Sequence, residues 1–133
     1  MKLRIRGNSL RLRLTQSEVM RIGRGEAVED SVTFTPSQSL RYAIQPSREV
    51  QKISSRLEGS LISVLIPRDE ALDWSRSDET ALMADQAIYG EVSLKLLIEK
   101  DFACLKPRQN ESEDESDLFP NPNVAHGSCG GHE

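Results

Sequence analysis

The sequence predicts an α+β fold: a mainly antiparallel sheet or partial barrel of about 6–8 strands with two short helices. Three observations carry this expectation. Apolar residues alternate with polar ones in short runs, turn-forming residues fall between those runs, and only two stretches carry the marks of a helix start.

The first run is the clearest. Leu3 and Ile5 alternate with Lys2, Arg4 and Arg6, and Leu10, Leu12 and Leu14 alternate with Arg11 and Arg13, around Gly7-Asn8. A two-residue turn there sets Ile5 opposite Leu10, Leu3 opposite Leu12, Arg4 opposite Arg11 and Lys2 opposite Arg13. Every apolar side chain then meets another. Thr15-Gln16-Ser17-Glu18 follows as a capping box, with Leu14 and Val19 at the staple positions, and Gly23 supplies the helix stop about two turns later.

Val28, Val32 and Phe34 predict the next strand, and Leu40, Tyr42 and Ile44 another, with Pro36 between them and Pro46 closing the second. A further hairpin turns at Glu58-Gly59, which sets Ile53 against Val64, Ser55 against Ile62 and Leu57 against Ser60. Pro67 suits the first position of a helix over 68–76, where Ala71, Leu72 and Trp74 can dock. A weak strand at 81–83 precedes a strong one, in which Val92, Leu94, Leu96 and Ile98 alternate with Glu91, Ser93, Lys95 and Glu99. No internal repeat is legible.

A chain of 133 residues is the size of one domain. Its charge is unevenly distributed. All 17 Lys and Arg and 15 of the 21 acids precede residue 109, whereas residues 111–133 hold 6 acids and no base. A block of one sign repels itself and buries too little surface to offset its ordering entropy. The expectation is therefore a body over 1–108 and a largely disordered acidic, Pro/Gly-rich tail over 109–133. Alternation of charge and hydrophobe at the N-terminus is unlike a secretory signal, no run of about 18 apolar residues exists, and Cys104 and Cys129 are the only cysteines. A cytoplasmic protein with no membrane contact is expected.

By the hairpin register, Lys2, Arg4, Arg6, Arg11 and Arg13 project from one side of two adjacent strands with no acid among them. Like charges opposite one another in a sheet cost up to about 1 kcal/mol a pair, so something must offset them. One answer is a neighbouring strand bearing Glu91, Glu99 and Asp101. The other is an anion, a small molecule or a protein partner, since clustered arginines suit phosphate and carboxylate groups. Low aromatic content, 5%, and a body near neutrality argue against nucleic acid. The face is similar to that of the triphosphate-tunnel hydrolases, antiparallel barrels lined with Arg and Lys, which implies a phosphate or polyphosphate hydrolase as an alternative. Those enzymes open with Glu-x-Glu-x-Lys; here Lys2-Leu3-Arg4-Ile5-Arg6 puts bases where the metal-binding acids belong.

No cofactor is demanded by any motif. Cys104, His126, Cys129 and His132 nevertheless offer two thiolates and two imidazoles, the donor set of a tetrahedral zinc site, and define a second alternative, a zinc-binding module. No phosphate-loop or dinucleotide fingerprint is present, and the two glycines of Arg21-Ile22-Gly23-Arg24-Gly25-Glu26 read as a helix stop. Asp69, Glu70, Asp73, Asp78 and Glu79 read as the wet face of the second helix. No base, orienting group and nucleophile stand together, and the balance leans away from an enzyme.

The stretch from Met1 to Val19, with Glu99-Lys100-Asp101-Phe102-Ala103-Cys104-Leu105 and Phe119-Pro120-Asn121-Pro122-Asn123, resembles a family of uncharacterised bacterial proteins of about this length, a domain of unknown function. The resemblance implies no activity. It does imply that the segment around Phe119 is ordered against the body.

Overall fold

Strands and helices follow one another in an order that repeats halfway along the chain. The computed structural model describes residues 1–102. Within them run β1 (Lys2–Ile5), β2 (Ser9–Leu14), α1 (Gln16–Gly23), β3 (Val28–Thr35), β4 (Gln38–Ser47), β5 (Ser54–Glu58), β6 (Leu61–Pro67), α2 (Arg68–Arg76), β7 (Ala81–Tyr89) and β8 (Val92–Lys100). The acidic tail expected over 109–133 lies outside the described residues. The fold is α+β, with two four-stranded sheets ordered β1-β2-β8-β7 and β3-β4-β6-β5 and no closed barrel. Each sheet is two antiparallel hairpins joined by one parallel pairing, β2 with β8 and β4 with β6.

The duplication escapes the sequence, yet buried positions correspond at an offset of 52 residues up to the helix of each half and 54 after it. Leu12 and Val64, Val19 and Ala71, and Ile22 and Trp74 stand 52 positions apart and are all buried. Val28 and Leu82, and Ile44 and Ile98, stand 54 apart and are also buried. Even the irregularities correspond, because the β3–β4 ladder shifts between Thr33 and Thr35 and the β7–β8 ladder between Ala87 and Tyr89. Each half places one hairpin in each sheet. Such a unit cannot cover its own apolar face, so the halves interlock around a shared core of Leu10, Leu12, Leu14, Tyr42, Ile44, Val64, Ile66, Trp74, Leu96 and Ile98. An aliphatic side chain buried this fully is worth about 2–5 kcal/mol over alanine.

The first hairpin has the register predicted for it, with Lys2 opposite Arg13, Leu3 opposite Leu12, Arg4 opposite Arg11 and Ile5 opposite Leu10. The third hairpin corrects its prediction. Ser55 lies opposite Val64 and Leu57 opposite Ile62, so the turn is Gly59-Ser60 rather than Glu58-Gly59. Gly59 has φ +59, which a two-residue hairpin loop demands of its first central residue. β7 is also longer than the weak strand predicted, because pairing with β8 supports polar residues such as Asp85 and Gln86 in extended form. Gln86 then does a second task on the edge strand β5. Its side-chain carbonyl accepts from the Ser55 amide (2.9 Å) and hydroxyl (2.6 Å), and its amide donates to the Ser55 carbonyl (3.2 Å), so one side chain stands in for a missing strand and ties the sheets together.

The capping box of α1 is present as read: the Glu18 amide donates to Thr15 Oγ1 and the Thr15 amide to Glu18 Oε1. Glu18 Oε2 also accepts from the N-terminal ammonium of Met1 at 2.8 Å. The helix ends differently from the prediction. Gly25, not Gly23, adopts the left-handed conformation (φ +90), and the Gly25 and Glu26 amides donate back to the Ile22 and Arg21 carbonyls as a Schellman cap. Gly23 is needed for closeness instead, since a Cβ there would come within 2.2 Å of Ser75 Oγ on α2. Gly23 and Ser75 are themselves 52 positions apart and meet where the two helices cross. Pro67 is the N-cap of α2, one position before the helix, and provides no side-chain bond to it.

Two predictions follow from these helix ends. Gly23→Ala gains helix propensity of about 1 kcal/mol but overpacks the crossing by about 1–3 kcal/mol, giving a net loss of stability. Adding Ser75→Gly, which clears the space, should restore it, and non-additivity in a double-mutant denaturation cycle checks this. Burial alone would raise the Glu18 carboxyl; the bonds from the Met1 ammonium and from Thr15 overcome it and hold the group below its ordinary value. A depressed acid stabilises above its unfolded pKa and loses that contribution as pH falls through its folded one. Glu18→Gln should therefore cost about 1 kcal/mol at pH 7 and progressively less below about pH 4 in urea titrations.

Candidate functional site

Because Leu10, Leu12 and Leu14 face the core, strand alternation sends Ser9, Arg11 and Arg13 to the outer side of the first sheet. The β1–β2 register lays Arg4 beside Arg11 and Lys2 beside Arg13, while Arg6 closes the turn through backbone bonds with Ser9. Parallel pairing then brings β8 alongside, with Leu97 next to Arg11 and Glu99 next to Arg13. Beyond it β7 contributes Met83, 78% exposed, and Asp85. The candidate surface is thus one side of a four-stranded sheet, basic at β1–β2 and apolar where Leu97 and Met83 adjoin.

Countercharge comes from β8. Arg11 Nε donates to Glu99 Oε2 at 2.6 Å and Arg13 Nε donates to the same oxygen at 3.2 Å. Lys2 Nζ lies 3.8 Å from Asp101 Oδ2. Glu99 and Asp101 therefore do what a neighbouring strand was expected to do, whereas Glu91 falls in the β7–β8 turn beside Gly90. One carboxylate serves two guanidiniums here, and Arg4 has no ion pair among the described residues. Among the described residues, Glu99 and Asp101 are thus the acids set against this row. Further along, Lys95 and Asp85 pair across β7–β8 at 3.6 Å.

Of the predicted zinc ligands Cys104, His126, Cys129 and His132, all lie outside the described residues. Among the described residues no three His, Cys, Asp or Glu side chains are grouped to hold a metal ion. Asp69, Glu70, Asp73, Asp78 and Glu79 are exposed around α2, as a wet face requires. No helix among the described residues is long and apolar enough to cross a membrane. Two arginines that no pattern singled out, Arg48 and Arg68, border a cleft elsewhere. They are twenty positions apart, Arg48 just after β4 and Arg68 at the start of α2, so only the fold brings them to one cleft.

Residues 1–123 match a family of unknown function, DUF7009. The chain belongs to that family. It is the uncharacterised domain that the N-terminal motif resembles, and its extent takes in the basic hairpin, both helices and the whole of both sheets. Neither the curated proteins nor the solved structures contain a match. Membership in DUF7009 assigns no activity and leaves the chemistry to the site itself.

Glu99 is the residue on which the electrostatics of the face turn, since its side chain is only 16% exposed and neutralises two neighbours. Glu99→Gln should cost about 1–2 kcal/mol at low ionic strength and clearly less in about 1 M salt, where charges are screened beyond about 3 Å. Thermal unfolding at the two salt concentrations measures it. A loss indifferent to salt would assign Glu99 a packing role instead.

Proposed function

We propose that this domain is an accessory or binding module, not an enzyme, and that its partner is an anionic protein segment held on the outer face of the first sheet by Lys2, Arg4, Arg6, Arg11 and Arg13. The carrying observation is the pair of cross-strand base–base neighbours, Arg4 with Arg11 and Lys2 with Arg13, where one carboxylate, Glu99, serves both Arg11 and Arg13 and Arg4 has no ion pair among the described residues. Bases stacked in this way suit an incoming carboxylate or phosphate, which Arg4 and Arg11 can grip together. The surface is one side of an open sheet, which favours an extended partner over an enclosed small molecule, and exposed Met83 beside Leu97 gives that partner an apolar contact. A cytoplasmic setting fits the two-cysteine composition.

The hydrolase alternative draws less support. Its arginines would line the inside of a closed barrel, whereas these point outward from an open sheet, and Glu99, the acid nearest Arg11 and Arg13, is already engaged by both. The zinc alternative depends wholly on Cys104, His126, Cys129 and His132.

The test is titration of the domain with a fluorescent poly-glutamate peptide and, separately, with inorganic polyphosphate, at low and physiological salt. Binding that weakens at least about tenfold in the Arg4→Ala/Arg11→Ala double variant and falls with salt is expected. Absence of binding to either polymer, or equal binding by the variant, would discard the proposal.

A further inference from the structure

A second site, distinct from the basic face, lies at the helix-bearing end of the sheets. A cleft of about 470 Å³ opens between the end of α1, the segment following β4 and the start of α2, lined by Gly23, Ser47, Arg48, Val50, Arg68 and Leu72 among others. That volume is in the range of small-molecule sites, about 300–1,000 Å³. Its walls divide by chemistry: Val50, Pro67 and Leu72 are apolar, whereas Arg48 and Arg68 bring two guanidiniums.

Neither guanidinium has a carboxylate partner among the described residues, unlike Arg11 and Arg13 on the sheet face. Arg68 is also held in place. Its guanidinium lies against Gly25, where a Cβ would come within 2.6 Å of Nη2, and Nη2 makes one long bond, 3.5 Å, to the Arg24 carbonyl. The Schellman cap that ends α1 thus doubles as the seat for the Arg68 head group. Arg48 is exposed at the rim, and Asp69 is the single acid of the lining, leaving the cleft with an excess of positive charge. Pro67, the N-cap of α2, also lines the cleft and gives the first-turn amides no side-chain acceptor of its own.

We propose that this cleft binds a small organic anion, a molecule with one carboxylate or phosphate head and an apolar body. The head is taken by Arg68 and Arg48, whose planar forks match either group with two parallel bonds. The body rests on Val50, Pro67 and Leu72. This site is independent of the sheet face, and either can fail without the other.

Amide chemical-shift mapping of the full chain with phenyl phosphate, benzoate and inorganic phosphate tests it. The expected result is saturable shifts at Gly23, Val50, Arg68 and Asp69, with phenyl phosphate or benzoate binding more tightly than inorganic phosphate because only they carry an apolar body. Arg68→Met should weaken that binding by about tenfold or more, and Arg48→Met, an exposed change that keeps the fold, by a smaller factor. The Arg4→Ala/Arg11→Ala variant should bind these probes as wild type does. Several outcomes would overturn the proposal: no shifts at those amides up to about 10 mM probe, undiminished binding in folded Arg48→Met and Arg68→Met, or inorganic phosphate binding as tightly as phenyl phosphate. A phosphate-only preference between the two organic probes would name the head group, and a benzoate preference would name the other.

Discussion

The parallel pairing of β2 with β8 joins the first hairpin to the last strand of the described residues, and much of the structure follows from it. It sets Leu12 beside Ile98 and Leu10 beside Leu96, which closes the core on that side, and it sets Arg13 beside Glu99. The same pairing lets Asn8 in the first turn donate to the Ser93 carbonyl and accept from the Lys95 amide. Parallel strands need a long connection. Here that connection is nearly the whole domain, so the first sheet is complete only when the last strand has arrived. β4 and β6 repeat the arrangement in the second sheet, where the connection is the short β5 arm.

Two halves that exchange hairpins leave their helices to meet each other, and the duplicated positions on those helices have diverged in instructive ways. Val19 and Ile22 on α1 correspond to Ala71 and Trp74 on α2, so a small residue in one half accompanies a large one at the next buried position. Trp74 is buried, with Lys100 Nζ 5.2 Å from the centre of its ring and bonded to the Ser77 carbonyl. Close approach at the crossing then falls to Gly23 and Ser75. The helix starts diverged too: α1 is closed by Thr15, Glu18 and the Met1 ammonium, whereas α2 begins at Pro67 beside a cleft.

The electrostatic character of the domain is likewise a matter of what stands next to what. On the sheet face, Glu99 and Asp101 stand against a basic row spread along two strands, and the partner proposed for it is correspondingly extended. In the cleft, two guanidiniums share an apolar pocket with one acid, an arrangement suited to a compact anion. Both surfaces are built largely from arginine, but shape separates the ligands proposed for them.

Local rules were enough for much of this. The alternation of Leu3, Ile5, Leu10, Leu12 and Leu14 fixed the register of the first hairpin, because a one-residue slip would have turned every leucine to solvent. The Thr15–Glu18 box placed the start of α1, and the parity of Glu99 foretold its place opposite the arginines, each over a distance of a few residues or one strand. Where the outcome depended on partners far away, local pattern was silent. Local pattern put Gly59 second in its turn and made Gly23 a helix stop; the ladder to β6 moved the turn to Gly59-Ser60, and the nearness of Ser75 made Gly23 a contact. The duplication itself left no sequence repeat, since a half needs only matching burial, and Ala71 with Trp74 satisfies that as well as Val19 with Ile22. The cleft was invisible for the same reason. Composition and periodicity determined the elements, their faces and the basic row, while only the tertiary structure decided which faces meet, because burial and charge pairing act between residues that the chain brings together from opposite ends.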